Sequence, residues 1–278
     1  MEAFDGQRAY RHVERLVGFG PRPSGSEALK ESAGYIAGQL REYGLTVEDQ
    51  EFHALAPSGP MKFHNVVGRT RQQGRGPARF IVIGSHYDTK RMPGIRFVGA
   101  NDGGSSAGVL LEMARVAAAR PNLVFVFFDG EEAQVEYGRD DGLWGSKFFV
   151  EFLKSEDRVP SIRAMILLDM VGDANLKITI PPNSSGELAQ VTFDAARALG
   201  YRDSFGYRMQ QILDDHVPFL QAGIPAIDLI DFEYGSAPGR NDYWHTDQDT
   251  LDKISPHSLE IVGRTALRLV GGLQASRP

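Results

Sequence analysis

Two adjacent glutamates, Glu131 and Glu132, follow the apolar run LVFVFF and the pair Asp129-Gly130. Consecutive side chains leave the backbone in different directions, so the two carboxylates can have different roles. One can bind a metal ion while its neighbour faces a substrate as an acid or base, because an ion occupies the lone pairs of the carboxylate that binds it. The pair taken alone could equally open a helix, so its role depends on the residues near it in space.

Polar residues also follow the other apolar runs. His86-Tyr87-Asp88 comes after the first run, Asp169 ends the third, Asp231 ends the fourth, and Asp102 and His245 lie in loops. Taken singly, a histidine after a strand is an ordinary loop residue and Asp102 is an ordinary helix cap. Ligands of parallel α/β sheets bind at the carboxyl ends of the strands, so we expect these groups to converge on one rim.

The set of residue types on this rim predicts a metal site. Two histidines and several carboxylates, in a chain without cysteine, suit Zn²⁺ or a pair of such ions. In His86-x-Asp88 the carboxylate can accept a hydrogen bond from one ring nitrogen and leave the other nitrogen for metal. Asp88 is therefore expected to orient His86 from outside the ligand set.

Strands and helices alternate along the chain. Apolar periodicity predicts helices over 8–17, 26–43, 104–119, 144–155, 186–200 and 255–273, a short helix in HVPFLQAG, and strands over 45–52, 63–69, 78–86, 122–130, 162–170 and 224–231. This order is typical of one α/β domain over residues 1–278, with three α/β/α layers and a mostly parallel, twisted central sheet.

Composition excludes several classes of function. The net charge of −6 does not favour nucleic acid or an anionic membrane surface, and the apolar runs are too short for a membrane span. Absence of cysteine excludes disulfides and thiolate chemistry. The first residues, MEAFDGQRAYRHVERL, contain no apolar signal segment, so we expect either a cytoplasmic protein or an exported one whose signal segment is missing from this sequence.

The ordered motifs HYD, Asp102, EE, Asp169 and HT resemble the ligand set of zinc-dependent aminopeptidases with two metal ions. The resemblance runs from about Gly20 to the C-terminus and implies a zinc-exopeptidase-like fold. It also implies that one zinc is held by Asp102, Glu132 and His245, and a second by His86, Asp102 and Asp169. Asp102 would bridge the two ions, and Glu131 would be the general base.

Finer detail resembles the glutaminyl cyclases, a branch of the same superfamily. Four segments are similar to segments of the cyclases, namely GSHYDTK, FFDGEEA, LLDMVG and DDHVPFLQAGIPAIDLI. In addition, WHT precedes an acidic turn, as it does in the cyclases. The resemblance implies cyclisation of an N-terminal Gln to pyroglutamate with release of ammonia, and a single zinc. Asp214 and Asp169 would form a carboxylate network with Glu131, and Trp244 would pack against the substrate.

Two pocket residues depart from the cyclase pattern. Tyr137 stands where the cyclases have a tryptophan, and Asp228 stands where they have a histidine. Both are expected to contact substrate, although the shape of the pocket is left open.

Two alternatives remain open. In a two-zinc aminopeptidase, Glu131 would accept a proton from water, and Asp214 or Asp228 would hold the free N-terminus of the peptide. A non-catalytic binding protein would be expected to have lost a ligand or the base, and neither is missing. Under either enzyme hypothesis the partners are peptide or protein N-termini. We also expect a monomer, and the resemblance implies a location outside the cytoplasm, in the periplasm or secreted.

Overall fold

A computed structural model of the chain describes residues 3–73 and 79–275. The helices are α1 (Gly6–Gly18), α2 (Glu27–Glu42), α3 (Gly104–Ala117), α4 (Trp144–Ser155), α5 (Gly186–Leu199), α6 (His216–Gln221) and α7 (Pro256–Ala275). The strands are β1 (Thr46–Ala56), β2 (Gly59–Arg69), β3 (Phe80–His86), β4 (Leu123–Phe128), β5 (Ile162–Asp169), β6 (Ile178–Ile180), β7 (Phe205–Tyr207) and β8 (Ala226–Ile230).

Within the described residues these strands form one mixed sheet in the order β1-β2-β4-β3-β5-β8-β6-β7. The four central strands, β4, β3, β5 and β8, are parallel to one another. At the edges, β1 and β2 form an antiparallel hairpin, and β6 runs antiparallel to β8. The predicted α/β architecture with a mostly parallel centre is confirmed.

The central strands are covered by helices on both faces, which explains their uninterrupted apolar sequences. On β4, Leu123, Phe125 and Phe127 join the core that includes side chains of α1, α2, α3, α5 and α7. The alternate residues Val124, Val126 and Phe128 join a second core with α4 and α6. Side chains on a strand point alternately to its two faces, so both sets are buried.

The strand order places a topological switch at β3, which has β4 on one side and β5 on the other. After β3 the chain crosses to β4, and after β4 it returns past β3 to β5. Loops leaving these three strands therefore diverge and open a crevice at their carboxyl ends, the usual ligand position in such sheets. His86, the Glu131-Glu132 pair and Asp169 all lie at this edge.

The observed strands differ from the predicted ones in three ways. Strand β1 continues to Ala56 and β2 begins at Gly59, so the hairpin is longer than the alternating sequence indicated. The three-residue strands β6 and β7 were not predicted. The predicted strand over 78–86 begins at Phe80 in the described part of the chain, and its residue 78 lies outside that part. Across the residues described, every helix falls short of the length and apolar character that crossing a membrane requires.

Candidate active site

Two glycines turn the chain where the candidate ligands begin. Gly103 follows Asp102 with φ +76°, and a Cβ there would lie 2.6 Å from the carbonyl oxygen of Asp88 and 2.9 Å from the His86 ring. Gly130 precedes the glutamate pair with φ +73°, and a Cβ there would lie 2.6 Å from the Phe63 ring. Both positions require a residue without a side chain, because the backbone is left-handed and the space is filled.

Asp102, Glu132 and His245 form one compact group. His245 Nε2 lies 3.2 Å from Glu132 Oε1 and 3.2 Å from Asp102 Oδ2. One potential ligand atom from each residue lies within 4.8 Å of the others. His245 reaches this position from a backbone with φ +54°, which is rare for residues other than glycine and often found at functional sites.

His86, Asp102 and Asp169 form an adjoining group of the same kind. His86 Nε2 lies 3.1 Å from Asp169 Oδ1 and 3.2 Å from Asp102 Oδ1, while its Nδ1 lies 3.4 Å from Asp88 Oδ1. The two oxygens of Asp102 thus face different histidines. Asp88 also accepts backbone hydrogen bonds from Glu131 and Glu132, so it links the His86 ring to the glutamate pair.

These residues fit a zinc ion. Oδ2 of Asp102 is buried and accepts no hydrogen bond from any described residue apart from its contact with Nε2 of His245 at 3.2 Å. Imidazole nitrogen and carboxylate oxygen are the ligands that Zn²⁺ takes when thiolate is lacking. The chain thus has two residue groups that could hold a zinc ion, with Asp102 common to both.

The two glutamates differ in their contacts. Glu132 faces His245 and belongs to a ligand group, whereas Glu131 belongs to none of those found among the described residues. The hydroxyl of Tyr137 donates to Glu131 Oε2 at 3.1 Å and to Glu132 Oε2 at 2.9 Å. Lys90 also supports the pair, since its backbone N–H donates to Glu132 Oε1 and its ammonium donates to the Ala133 carbonyl.

Burial and like charges dominate the electrostatics of the site. Burial raises the pKa of Glu131 well above its usual value; His86 opposes the rise, and Glu132 and Asp214 add to it. Burial lowers the pKa of His245, but its hydrogen bonds with Asp102 and Glu132 raise it more, to about 9. The region carries excess negative charge, which a bound cation would offset.

Trp244 contacts the metal group directly. Its ring stacks on His245 with centroids 3.9 Å apart and an interplanar angle of 24°, and Phe97 meets the same imidazole edge-on at 5.6 Å. Phe232 also packs against the Trp244 ring, with centroids 5.1 Å apart. Trp244 is half-buried, so it holds His245 in place and still leaves surface for a substrate.

Asp214 and Asp228 lie in a third buried cluster with His216. Both oxygens of Asp228 and Oδ2 of Asp214 accept no hydrogen bond within the described structure. The Asn183 amide, fixed by two hydrogen bonds with the Ile212 backbone, donates to His216 Nε2. With Nε2 accepting from Asn183, the ring proton of neutral His216 is assigned to Nδ1, which lies 4.0 Å from Asp228 Oδ2 and in this tautomer does not offer a metal ligand.

Two supporting residues were not predicted from the sequence. Asp249 accepts hydrogen bonds from the backbone N–H groups of Asn101 and Asp102 and from the Tyr234 hydroxyl, and so fixes the Asp102 loop. Arg22 is fully buried and donates to five backbone carbonyls, which belong to Leu16, Gly20, Tyr87, Val98 and Gly99. The acceptors are all main-chain carbonyl oxygens, which every residue has, so residue types give no sign of them.

Changing Asp102 to Asn is expected to weaken zinc binding at least about 100-fold, because Asp102 is common to both groups. Loss of a residue that only hydrogen-bonds to a metal ligand already lowers metal affinity about 10–100-fold. Zinc affinity is measured by titration against a chelator of known affinity. Asp129→Asn is the matched control, since Asp129 is a buried carboxyl on the same rim and belongs to neither group. Equal zinc affinity in the Asp102 and Asp129 variants would contradict the ligand assignment.

Comparison with known proteins agrees with this geometry. Residues 65–270 match the sequence profile of Peptidase family M28. The glutaminyl-peptide cyclotransferase of Drosophila melanogaster is 28% identical over 249 residues, covering 79% of this chain and 68% of its own. The crystal structure of an Acidobacteriales bacterium glutaminyl cyclase has a TM-score of 0.91 and 32% identity, covering 98% of this chain and 95% of its own.

A glutaminyl cyclase structure from Porphyromonas gingivalis gives a TM-score of 0.84 with 31% identity, over 98% of this chain and 99% of its own. The likeness thus extends over nearly the whole fold, including the strand ends and loops that carry the metal groups. The chain belongs to Peptidase family M28, and within it falls with the glutaminyl cyclases.

Proposed function

We propose that the chain is a zinc-dependent glutaminyl-peptide cyclotransferase, which converts the N-terminal Gln of a peptide to pyroglutamate and releases ammonia. The observation that carries the proposal is the similarity to glutaminyl cyclases over nearly the whole chain, at 32% identity and a TM-score of 0.91. The contacts of the glutamate pair support it, since they leave Glu131 free for proton transfer beside a metal group.

Asp102, Glu132 and His245 would hold one zinc ion, which supplies Lewis acidity toward the side-chain carbonyl of the substrate Gln when bound. Glu131 takes a proton from the α-amine as the amine nitrogen forms its bond to the amide carbon. Glu131 then returns that proton to the departing nitrogen as the old carbon–nitrogen bond breaks. Ammonia leaves, and Glu131 finishes the reaction in the same protonation state in which it began.

Other residues hold the reacting groups in place. Tyr137 keeps the Glu131 carboxyl oriented by donating to it, and donates to Glu132 as well. Asp214 and Asp169 would stabilise the reacting amide nitrogen of the substrate together with Glu131. Trp244 would present its exposed surface to the Gln side chain, and Asp228 would act on the pocket through Asp214 rather than from the surface, since it is fully buried.

The second group, His86, Asp102 and Asp169, favours one other candidate function. With two ions bound, the same rim could hydrolyse an N-terminal peptide bond, with Glu131 accepting a proton from water. Cyclisation needs no water as nucleophile, so one zinc is sufficient for the function proposed first.

An activity assay with metal analysis separates the two functions. The protein is incubated with a Gln-initiated peptide amide and, separately, with Leu- and Ala-p-nitroanilide, and its zinc content is measured by mass spectrometry. We expect ammonia release with loss of one ammonia mass from an otherwise intact peptide, and one zinc per chain. Release of free amino acids or nitroaniline without any cyclised product would overturn the proposal, and two zinc ions with that result would support the peptidase.

A further inference from the structure

The segment 91–96 between Lys90 and Phe97 lies beside the metal group. At one end, Lys90 donates to Glu132 and to the Ala133 carbonyl. At the other end, the Phe97 ring packs against the His245 imidazole. Both ends of this short exposed segment are therefore in contact with residues of the first group or their neighbours, which places the segment beside that group.

Arg91, the first residue of this segment, is exposed and has no ion-pair or hydrogen-bond partner within the ranges 3–73 and 79–275. It lines a small recess together with Glu132 and Gln134. It also lines a larger groove of about 740 Å³, again with Gln134. The two spaces share Ser24, Arg91 and Gln134, so the groove adjoins a recess that is lined by Glu132.

The lining of the larger groove suits a peptide. Its walls contain apolar surface from Pro57, Met61 and Val135, and the Val135 side chain is 78% exposed. Its other cation, Lys62, is already paired with Glu51 at 2.7 Å. The groove thus offers apolar contacts and one unpaired positive charge, that of Arg91.

Charges of opposite sign line these two adjoining spaces. The recess is lined by the buried carboxylates of Asp88 and Glu132, whereas Arg91 lies where the recess and the groove meet. A substrate with an amine at its first residue and a carboxylate shortly after it matches both charges. A basic side chain in the same place would meet Arg91 with like charge.

We propose that this groove binds the residues that follow the N-terminal Gln, and that Arg91 selects peptides with an acidic residue at the second or third position. This inference rests on the proposed cyclase function and specifies its substrate class. The guanidinium can bind a carboxylate through two parallel N–H donors, which favours Arg over a point charge at such a position.

The test compares kcat/KM for matched peptide amides that carry Glu, Gln or Lys at the second or third position after Gln. C-terminal amidation removes the other carboxylate of the peptide. We expect the Glu peptides to be favoured over the Gln peptides about two- to fivefold, the size of a partly exposed ion pair, and less at high salt. Arg91→Gln should bring this ratio to about one, and Arg91→Glu should invert it in favour of Lys.

Arg96→Gln is the matched control, because Arg96 is an exposed arginine on the same segment that lines neither the recess nor the groove. It should keep the preference for Glu. Equal kcat/KM for Glu and Gln peptides in the unchanged protein would overturn the inference, and so would equal loss of the preference in the Arg91 and Arg96 variants. If none of the peptides is cyclised, the proposed cyclase function itself is wrong. That result differs from equal cyclisation of all the peptides, which would contradict only the charge selection by Arg91.

Discussion

Replacing Glu131 with Gln is expected to lower kcat by about 10²–10⁴-fold while zinc content stays unchanged. The amide has nearly the same shape and can still accept a hydrogen bond from Tyr137, but it cannot take a proton from the substrate amine. Glu131 lies in neither metal group among the described residues, so its loss leaves the zinc ligands intact. Steady-state cyclisation rates and metal analysis of the same preparation measure both effects.

The neighbouring variant Glu132→Gln is the control for this prediction. Glu132 lies 3.2 Å from His245 and shares its group, so its replacement should reduce zinc affinity together with activity. If Glu131→Gln removed the zinc and Glu132→Gln did not, the division of roles between the two residues would be reversed. Thermal unfolding of both variants checks that the fold is retained.

The second large effect is expected from Arg22→Met, which should lower the free energy of unfolding by about 3–5 kcal/mol. The Arg22 guanidinium donates to the Val98 carbonyl at 2.8 Å and to four further carbonyls at 3.2–3.3 Å. Without it, these buried carbonyls lose their donor, and each unsatisfied group costs free energy. Denaturant titration of the zinc-free proteins measures the change.

Charge explains why arginine and not a neutral donor stands there. Burial lowers the pKa of Arg22 to about 10, and the nearby carboxylates of Asp249, Asp88 and Asp102 partly oppose that shift. The side chain is therefore charged at neutral pH and offsets part of the negative charge of the metal groups. Arg22→Lys should restore only part of the stability, because an ammonium has three donors and cannot span the same acceptors.

Arg139→Met serves as the matched control, since Arg139 is exposed and makes no side-chain contact given by the described structure. It should change the free energy of unfolding by no more than about 0.5 kcal/mol. An Arg22→Met protein as stable as the Arg139 variant would show that the carbonyls find other donors, and that Arg22 is dispensable to the fold.

The sheet and the metal residues could be predicted because their signals are local or follow from topology. Apolar runs bounded by Gly and Asp indicate strands that are buried on both faces. The carboxyl ends of parallel strands lie at the same side of the sheet, whatever conformation the loops have. Strands β6 and β7 could not be predicted, because a three-residue strand at the edge of the sheet contains no apolar run long enough to recognise.

The supporting contacts could not be predicted because they depend on the paths of loops. Arg22 binds main-chain oxygens, which every residue has, so nothing in GFGPRPSG identifies its acceptors. Tyr137 reaches both glutamates only because the segment after Ala133 folds back over them. The tautomer of His216 is set by Asn183, which lies far from it in the sequence.

The switch-point arrangement of β3, β4 and β5 also constrains how the protein is made. The metal residues are distributed from His86 to His245, and the last of them arrives only after every strand of the sheet has been synthesised. An N-terminal fragment that ends between Ile230 and His245 contains all the described strands but lacks one residue of the first group. Tight zinc binding by that group would therefore require synthesis as far as His245, and a nascent or truncated chain that ends earlier would not acquire it.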